Sequence, residues 1–298
     1  MVIGIDLGSN TLRIALMDKN YKILLSKEFI VGSARNLKQG SKLDLFAKKR
    51  ILKALKASTK IFDYSKFEVV AVATEAFRMA SDSDLFFNAI YSKFGIKFYI
   101  ISGISEAKFV EIAIKNRLKI LGFSTSNLLC IDLGGASTEI SFNYNYKSFK
   151  FGIIRFFNEY KDISLMQKQA NFVTKNARKF INNLSFSNLV LTSGVPTTIA
   201  ALKMGLNYNE YNSNLVNGNF INFIDFDNIM KLLINLDDQK SDELVGKNRS
   251  FLVISGIILL KSLLKNFENS DFLVIDDGLR EGIIIAKFEG IFDKIVNF

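Results

Sequence analysis

Short apolar runs and longer runs of helical period alternate along the chain, and they lay out its elements. Ile3–Asp6 is an apolar strand pattern ending in an acid, followed by a glycine turn and a second apolar run, Leu12–Met17. Apolar residues Leu45, Ile51, Leu52, Leu55 and Phe62 recur at helical spacing, with Lys48 as the one break, and predict a helix over 44–62. Phe67–Ala73 and Lys97–Ile101 read as strands, and Ser81–Phe94 and Ser105–Leu121 as amphipathic helices. Beyond residue 128 the pattern repeats: an apolar strand, a glycine turn and a second run, Glu139–Phe142. Then come helices near 163–182, a strand at 188–192, a helix opening at Pro196, a helix near 249–265, a strand at 272–276 and a helix from about 279. Strands alternating with helices predict an α/β fold with mixed sheets covered by helices.

The recurrence is the main organising signal. Ile3-Gly4-Ile5-Asp6-Leu7-Gly8-Ser9-Asn10-Thr11 is echoed by Leu129-Cys130-Ile131-Asp132-Leu133-Gly134-Gly135-Ala136-Ser137-Thr138. Both read as strand–turn–strand hairpins with an acid at the mouth, so a duplicated fold with two equivalent hairpins facing one cleft is the simplest expectation. The polar cluster 122–127 places a boundary between domains 1–123 and 124–298. A chain of 298 residues is also longer than one core usually organises.

Composition narrows the chemistry. Apolar residues make up 49% and charged residues 23% of the chain, a balance typical of globular proteins. No apolar run reaches membrane-spanning length, because Val253–Leu264 is broken by Ser255, Gly256, Lys261 and Ser262 and reads as a buried helix. Asp6 interrupts the first strand, so no secretion-type leader is read and a cytoplasmic location is expected. The lone Cys130 lies in a strand pattern and reads as a core thiol. There is no histidine, which removes serine–histidine and cysteine–histidine triads and histidine zinc sites. Acid–base work falls to Asp, Glu, Lys or Tyr, and any metal is expected to be a hard ion such as Mg²⁺ or Mn²⁺. The formal charge of +10 suits a polyanionic partner, although lysines spread over solvated faces would produce the same total. No basic stretch forms a nucleic-acid motif, so neither a duplex nor a membrane is an expected partner.

The two Asp-x-Gly turns carry the chemical reading. Glycine lets backbone N–H groups approach an anion, and a carboxylate beside phosphate needs a cation between them. Asp6 and Asp132 therefore point to a divalent ion, with Gly8, Ser9, Asn10, Gly134, Gly135, Ala136 and Ser137 around the phosphate. Taken alone, each turn would be an ordinary hairpin; the pair favours function. Leu191–Thr198 is a strand–loop–helix with Pro196 in the first turn, a further anion-binding arrangement at Gly194. Arg78, past a strand end, could clamp phosphate with its planar fork. Glu106, in a first helical turn, is equally explained by the helix dipole. Arg280 reads either as a phosphate ligand or as an interdomain salt bridge.

Six collinear stretches, GIDLGSNTLRIAL, ATEAFRMASD, ISGISEAKF, CIDLGGASTEISF, LTSGVPTTIAAL and DDGLREG, resemble the exopolyphosphatase and guanosine pentaphosphate phosphohydrolase family. That family belongs to the actin, Hsp70 and sugar kinase superfamily, so the resemblance implies two actin-like (ribonuclease H-like) domains with an interdomain cleft. It implies Glu106 as the base that activates water, Asp132 and Glu139 at the metal and attacking water, and Arg78 on phosphate. Asp6 joins the metal set, and Arg13, Thr138 and Gly194 complete the candidate phosphate contacts. The chain departs from the family at Ser105, where a second glutamate is usual, at Ala136, at Asp82 and at Val195. Long members carry a C-terminal helical domain with histidine motifs, and their processive handling of long polymers is linked to a channel between the extra domains; the resemblance is to a short form, for which it does not imply processivity. The expected reaction is release of terminal phosphate from inorganic polyphosphate, with guanosine pentaphosphate as alternative substrate, or a non-catalytic sensor of polyphosphate or guanosine tetraphosphate as alternative role. A homodimer would suit such a protein.

Overall fold

A computed structural model describes residues 1–297. It divides into two compact units, Met1–Ala113 with Gly278–Phe298, and Ile114–Asp277. The first holds β1 (Val2–Leu7), β2 (Thr11–Met17), β3 (Ile23–Ile30), α1 (Leu45–Ser58), β4 (Glu68–Ala73), α2 (Glu75–Met79), α3 (Ser83–Phe94) and β5 (Phe98–Ile100). The unit division falls inside α4 (Gly103–Ile120). The second holds β6 (Leu128–Leu133), β7 (Thr138–Phe142), β8 (Asn145–Phe149), α5 (Ile153–Tyr160), α6 (Ile163–Val173), α7 (Lys175–Asn182), β9 (Asn188–Thr192), α8 (Gly194–Lys203) and α9 (Ser213–Val216). It continues through β10 (Phe220–Ile221), α10 (Phe223–Asn235), α11 (Asp238–Val245), α12 (Ser250–Leu263) and β11 (Phe272–Val274). The chain then returns to the first unit with α13 (Leu279–Phe288) and α14 (Phe292–Val296).

The duplication read from the sequence is real at the level of topology. The first sheet runs β3-β2-β1-β4-β5 and the second β10-β11-β9-β6-β7-β8. In each, a hairpin plus a third antiparallel strand forms one side, and parallel strands form the other: β1 beside β4 beside β5, and β6 beside β9 beside β11. β1 and β6 are central, and their near-continuous apolar sequences VIGIDL and LLCIDL are buried on both faces, as parallel strands covered by helices must be. α12, apolar almost all round, is the buried helix expected there.

Two expectations differ from the structure. The boundary anticipated at 123/124 lies earlier, and α13, expected in the second domain, belongs to the first unit. Two glycines explain the return. A Cβ on Gly282 of α13 would lie 1.9 Å from the Phe109 carbonyl oxygen, and one on Gly4 of β1 would lie 2.4 Å from Ile284. α13 thus lies backbone-close on α4 and β1. The edge strands β3 and β8 and the short helix α2 were not read from the sequence. β3 and β8 face solvent along most of their length and lack the alternation that marks a half-buried strand.

Candidate active site

Within each unit the candidate residues gather at the carboxyl ends of the parallel strands, where ligands bind in open α/β sheets. In the first unit Leu7, Ala73 and Ile100 are in register at those ends. From them emerge the turn Gly8–Asn10, helix α2 with Arg78, and the start of α4 with Glu106. In the second, Asp132 and Thr192 are in register, and the loops that follow carry Gly134–Ser137 and Gly194.

The two turns are held in corresponding ways. In the first, the Gly8 N–H donates to the Thr11 carbonyl at 2.9 Å. The Ser9 carbonyl accepts from Ala34 N–H at 2.8 Å, and the Asn10 carbonyl from Val31 and Gly32 N–H, both at 2.8 Å. In the second, the Gly134 carbonyl accepts from Ile153 N–H at 3.0 Å, and the Gly135 carbonyl from Ile154 at 2.7 Å and Arg155 at 3.1 Å. A trans peptide directs its C=O and the following N–H to opposite sides. The anchored carbonyls therefore turn the N–H groups of Asn10, Gly135 and Ala136 away from the supporting segments, which is the orientation an anion cradle requires. Gly152 makes the second arrangement possible, since a Cβ there would lie 2.6 Å from Ala136 N.

The hairpins part company in the row of side chains across them. Antiparallel register sets Asp6 opposite Arg13 and Arg13 opposite Glu28; the corresponding row of the second unit is Asp132, Glu139, Ser148. Arg13 Nε donates to Glu28 Oε2 at 2.9 Å, so the first row carries its own cation between two carboxylates. In the second row two carboxylates are direct cross-strand neighbours, an unfavourable pairing of like charges unless a cation joins them. Ser148 Oγ donates to Glu139 Oε1 at 2.7 Å, and Glu139 is buried beside the glycine loop, its Oε2 3.9 Å from where a Cβ of Gly134 would lie. These oxygens fit a hard divalent ion. Among the described residues no group of three acidic or cysteine side chains forms a complete metal cage, so water and phosphate oxygens would fill the remaining positions, as Mg²⁺ prefers. Asp6, facing Arg13, is the poorer metal ligand of the two aspartates.

Arg78 lies on α2, just past β4, and its fork is directed at carboxylates. Its Nε donates to Glu75 Oε2 at 2.8 Å, Nη1 to the Ile101 carbonyl at 2.6 Å, and both Nη1 and Nη2 to Glu106 Oε2 at 3.2 Å. Glu75 and Glu106 are each 8% exposed. Glu106 is thus more than a dipole-favoured first-turn acid: a guanidinium fixes its rotamer. Ser102 caps the start of α4, its Oγ accepting from the Ser105 N–H at 3.0 Å, while the Ser105 hydroxyl donates to the Ile295 carbonyl at 2.8 Å and ties α14 to the start of α4.

Three participants escaped the sequence reading. Glu75 sits inside the ATEAFR stretch, but no spacing rule singles it out. Ser148 lies on the unread edge strand β8. Arg249, before α12, places Nη2 3.5 Å from where a Cβ of Gly194 would lie, at the start of α8, and stacks its guanidinium over Tyr208 at 5.4 Å. Beside it Ser193 holds φ 86°, a strained conformation for a residue with a side chain, while its hydroxyl donates to the Leu133 carbonyl at 2.7 Å. Arg280, read as phosphate ligand or interdomain bridge, pairs with the adjacent Glu281 and donates to Ser26 Oγ at 2.8 Å, all within the first unit. Asp277 is held within the second unit by Arg117, at 2.6 and 3.0 Å. Cys130 is buried, and among the described residues no helix is long and apolar enough to cross a membrane.

Two units built on the same hairpin-plus-parallel-strand sheet, each with a glycine turn at the carboxyl ends of its strands, define an actin-like ATPase-type fold. Solved structures share it: a family member from Aquifex aeolicus superposes with TM-score 0.78 at 23% identity, covering 97% of each chain. An exopolyphosphatase from Cytophaga hutchinsonii reaches TM-score 0.84 at 22% identity, covering 97% of this chain and 98% of that one. The Ppx/GppA phosphatase family model matches residues 14–289, and the chain belongs to that family. Among curated relatives, a guanosine-5'-triphosphate,3'-diphosphate pyrophosphatase of Pseudoalteromonas translucida is 26% identical over 75% of this chain. A bifunctional 3-dehydroquinate synthase/phosphatase of Fusobacterium nucleatum is 26% identical over 98% of it. The chain spans about half the length of these curated relatives, 46% of each.

Proposed function

We propose that the protein is a phosphohydrolase that releases the terminal phosphate of inorganic polyphosphate. The observation that carries this reading is the buried Glu106 carboxylate, oriented by the Arg78 fork at the carboxyl end of the first sheet. In a chain without histidine, it is the best-placed group to take a proton from water as the water attacks phosphorus. Within each unit the outward N–H groups, of Asn10 in the first and of Gly135 and Ala136 in the second, are suited to hold phosphate oxygens. Asp132 and Glu139 would hold Mg²⁺ or Mn²⁺, which when bound supplies charge neutralisation on the phosphoryl oxygens. Ser148 keeps Glu139 in place for that task. A substrate of this kind suits the formal charge of +10.

Guanosine pentaphosphate is the second candidate substrate, favoured by the name of the Pseudoalteromonas relative. The test is single-turnover phosphate release with Mg²⁺ from polyphosphate, guanosine pentaphosphate and ATP, alongside equilibrium binding, for wild type and Glu106→Gln. Loss of a general base lowers the rate on the order of 10² to 10⁴-fold, so release should fall by that factor while binding holds. Unchanged release by Glu106→Gln would remove the base from this site. Binding of polyphosphate by wild type without cleavage would establish a sensor instead.

A further inference from the structure

The segment between β3 and α1, residues 31–44, carries Arg35, Lys38 and Lys42 against one acidic residue, Asp44, whose Oδ2 accepts from the Ala47 N–H and caps α1. All three side chains are exposed, and none has an ion pair among the described residues. The segment is nonetheless firmly held. At its start Val31, Gly32 and Ala34 donate their N–H groups to the first glycine turn, at Asn10 and Ser9. At its end Gly40 N–H reaches the Met79 carbonyl at 2.8 Å, Ser81 N–H reaches the Ser41 carbonyl at 3.0 Å, and Leu43 N–H reaches Asp82 Oδ1 at 2.9 Å. Lys48 closes the anchor with its ammonium 2.5 Å from Asp82 Oδ2. Burial pushes the Asp82 carboxyl up, but the Lys48 ammonium and the Leu43 N–H outweigh it and hold the group below its ordinary value. The loop therefore runs, within one unit, from the Gly8–Asn10 turn to the end of the Arg78 helix.

A second pair of observations points to an anion. Arg50 of α1 donates Nε to the Val31 carbonyl at 2.7 Å and Nη2 to the Gly32 carbonyl at 3.4 Å. A Cβ on Gly32 would lie 3.4 Å from Arg50 Nη2 and 3.6 Å from Arg35 Nε, so two guanidinium groups converge on one glycine. Gly32 has φ 58°, which favours glycine there as well. Like charges brought this close, with no carboxylate between them among the described residues, form a ready site for a polyanion.

We propose that Arg35, Arg50, Lys38 and Lys42 form a track for the phosphates of the substrate beyond those gripped at the glycine turn. The proposal rests on the phosphate-chain reading above and names what would favour long chains over short ones. Such a track recognises a run of phosphates by charge, with no demand on a base or sugar.

The test measures equilibrium binding of polyphosphate of several tens of residues and of pyrophosphate, as a function of salt. Wild type, Arg35→Gln and the triple variant Arg35→Gln/Lys38→Gln/Lys42→Gln are compared, each first checked for an unchanged melting temperature. Exposed charge contacts contribute a few-fold each, so the triple variant should lose roughly tenfold or more in affinity for the long chain. Its log K against log salt slope should flatten for each phosphate-contacting cation removed, by about 0.7 if polyphosphate binds counterions as a single-stranded nucleic acid does. Pyrophosphate affinity should fall much less. Equal losses for long and short probes would overturn the distal assignment, and unchanged affinity and slope would make the loop a solvated face. If wild type binds no polyphosphate at any salt, the polyphosphate reading fails and the track falls with it; that result is distinct from a wild type that binds and a variant that binds equally.

Discussion

At the scale of single residues, two hairpins of the same register are made chemically different above all by the residue opposite each aspartate. Arg13 and Glu139 stand opposite the two aspartates in the same register, and this exchange replaces a row with a cation between its carboxylates by a pair of adjacent carboxylates suited to a divalent ion. Arg78 is the other decisive residue, because a planar guanidinium reaches Glu75 from Nε and Glu106 from Nη1 and Nη2 in a fixed fork, a geometry that a single ammonium does not reproduce. Arg78→Lys should therefore lower stability by about 1–3 kcal/mol in urea unfolding, as one buried carboxylate loses its donor. It should also lower phosphate release at least tenfold. Wild-type stability and turnover in this variant would show that the fork does not set the Glu106 geometry.

At the scale of elements, α5 functions as a support for the second glycine loop, since three of its first peptide N–H groups are taken by the Gly134 and Gly135 carbonyls. The contact leaves no room for a side chain at Gly152. Gly152→Ala should force the loop to shift, with a stability loss of about 1–3 kcal/mol from overpacking and weaker phosphate binding. Calorimetry and phosphate titration of the variant check this, and an unperturbed loop would show as wild-type values in both. Central elements were legible because their patterns are enforced by burial: β1, β4, β6, β9, α4 and α12 all follow the apolar periods. Edge strands β3 and β8 and the one-turn helix α2 were not. The strands' side chains mostly face solvent, and α2, although it buries Ala76, Phe77 and Met79, is too short for a helical period to show.

At the scale of the whole molecule, two repeats of one sheet carry different side chains: the first the Arg78–Glu106 pair and a basic loop, the second the Asp132–Glu139 pair beside its glycine turn. If Asp132 and Glu139 hold the ion, Mg²⁺ should stabilise the protein by about 2–3 kcal/mol at a hundredfold excess over its dissociation constant. The corresponding rise in melting temperature should vanish with EDTA and in the Asp132→Asn/Glu139→Gln variant. An equal rise in that variant would place the ion elsewhere.

The sequence by itself determined the α/β class, the duplicated Asp–Gly hairpins and the exclusion of histidine chemistry. These follow from local rules: the apolar period, the glycine turn and the residue inventory. It also marked Glu106 and Arg78 as candidates, without the contact that joins them. Tertiary structure alone decided that Arg78 binds Glu106 across 28 positions of chain, and that Glu28 and Ser148 extend the two rows that Arg13 and Glu139 enter. It also decided that α13 returns to the first unit through Gly4 and Gly282. Each of these depends on strand register or on backbone approach between segments distant in sequence, and no local pattern of side chains encodes either one.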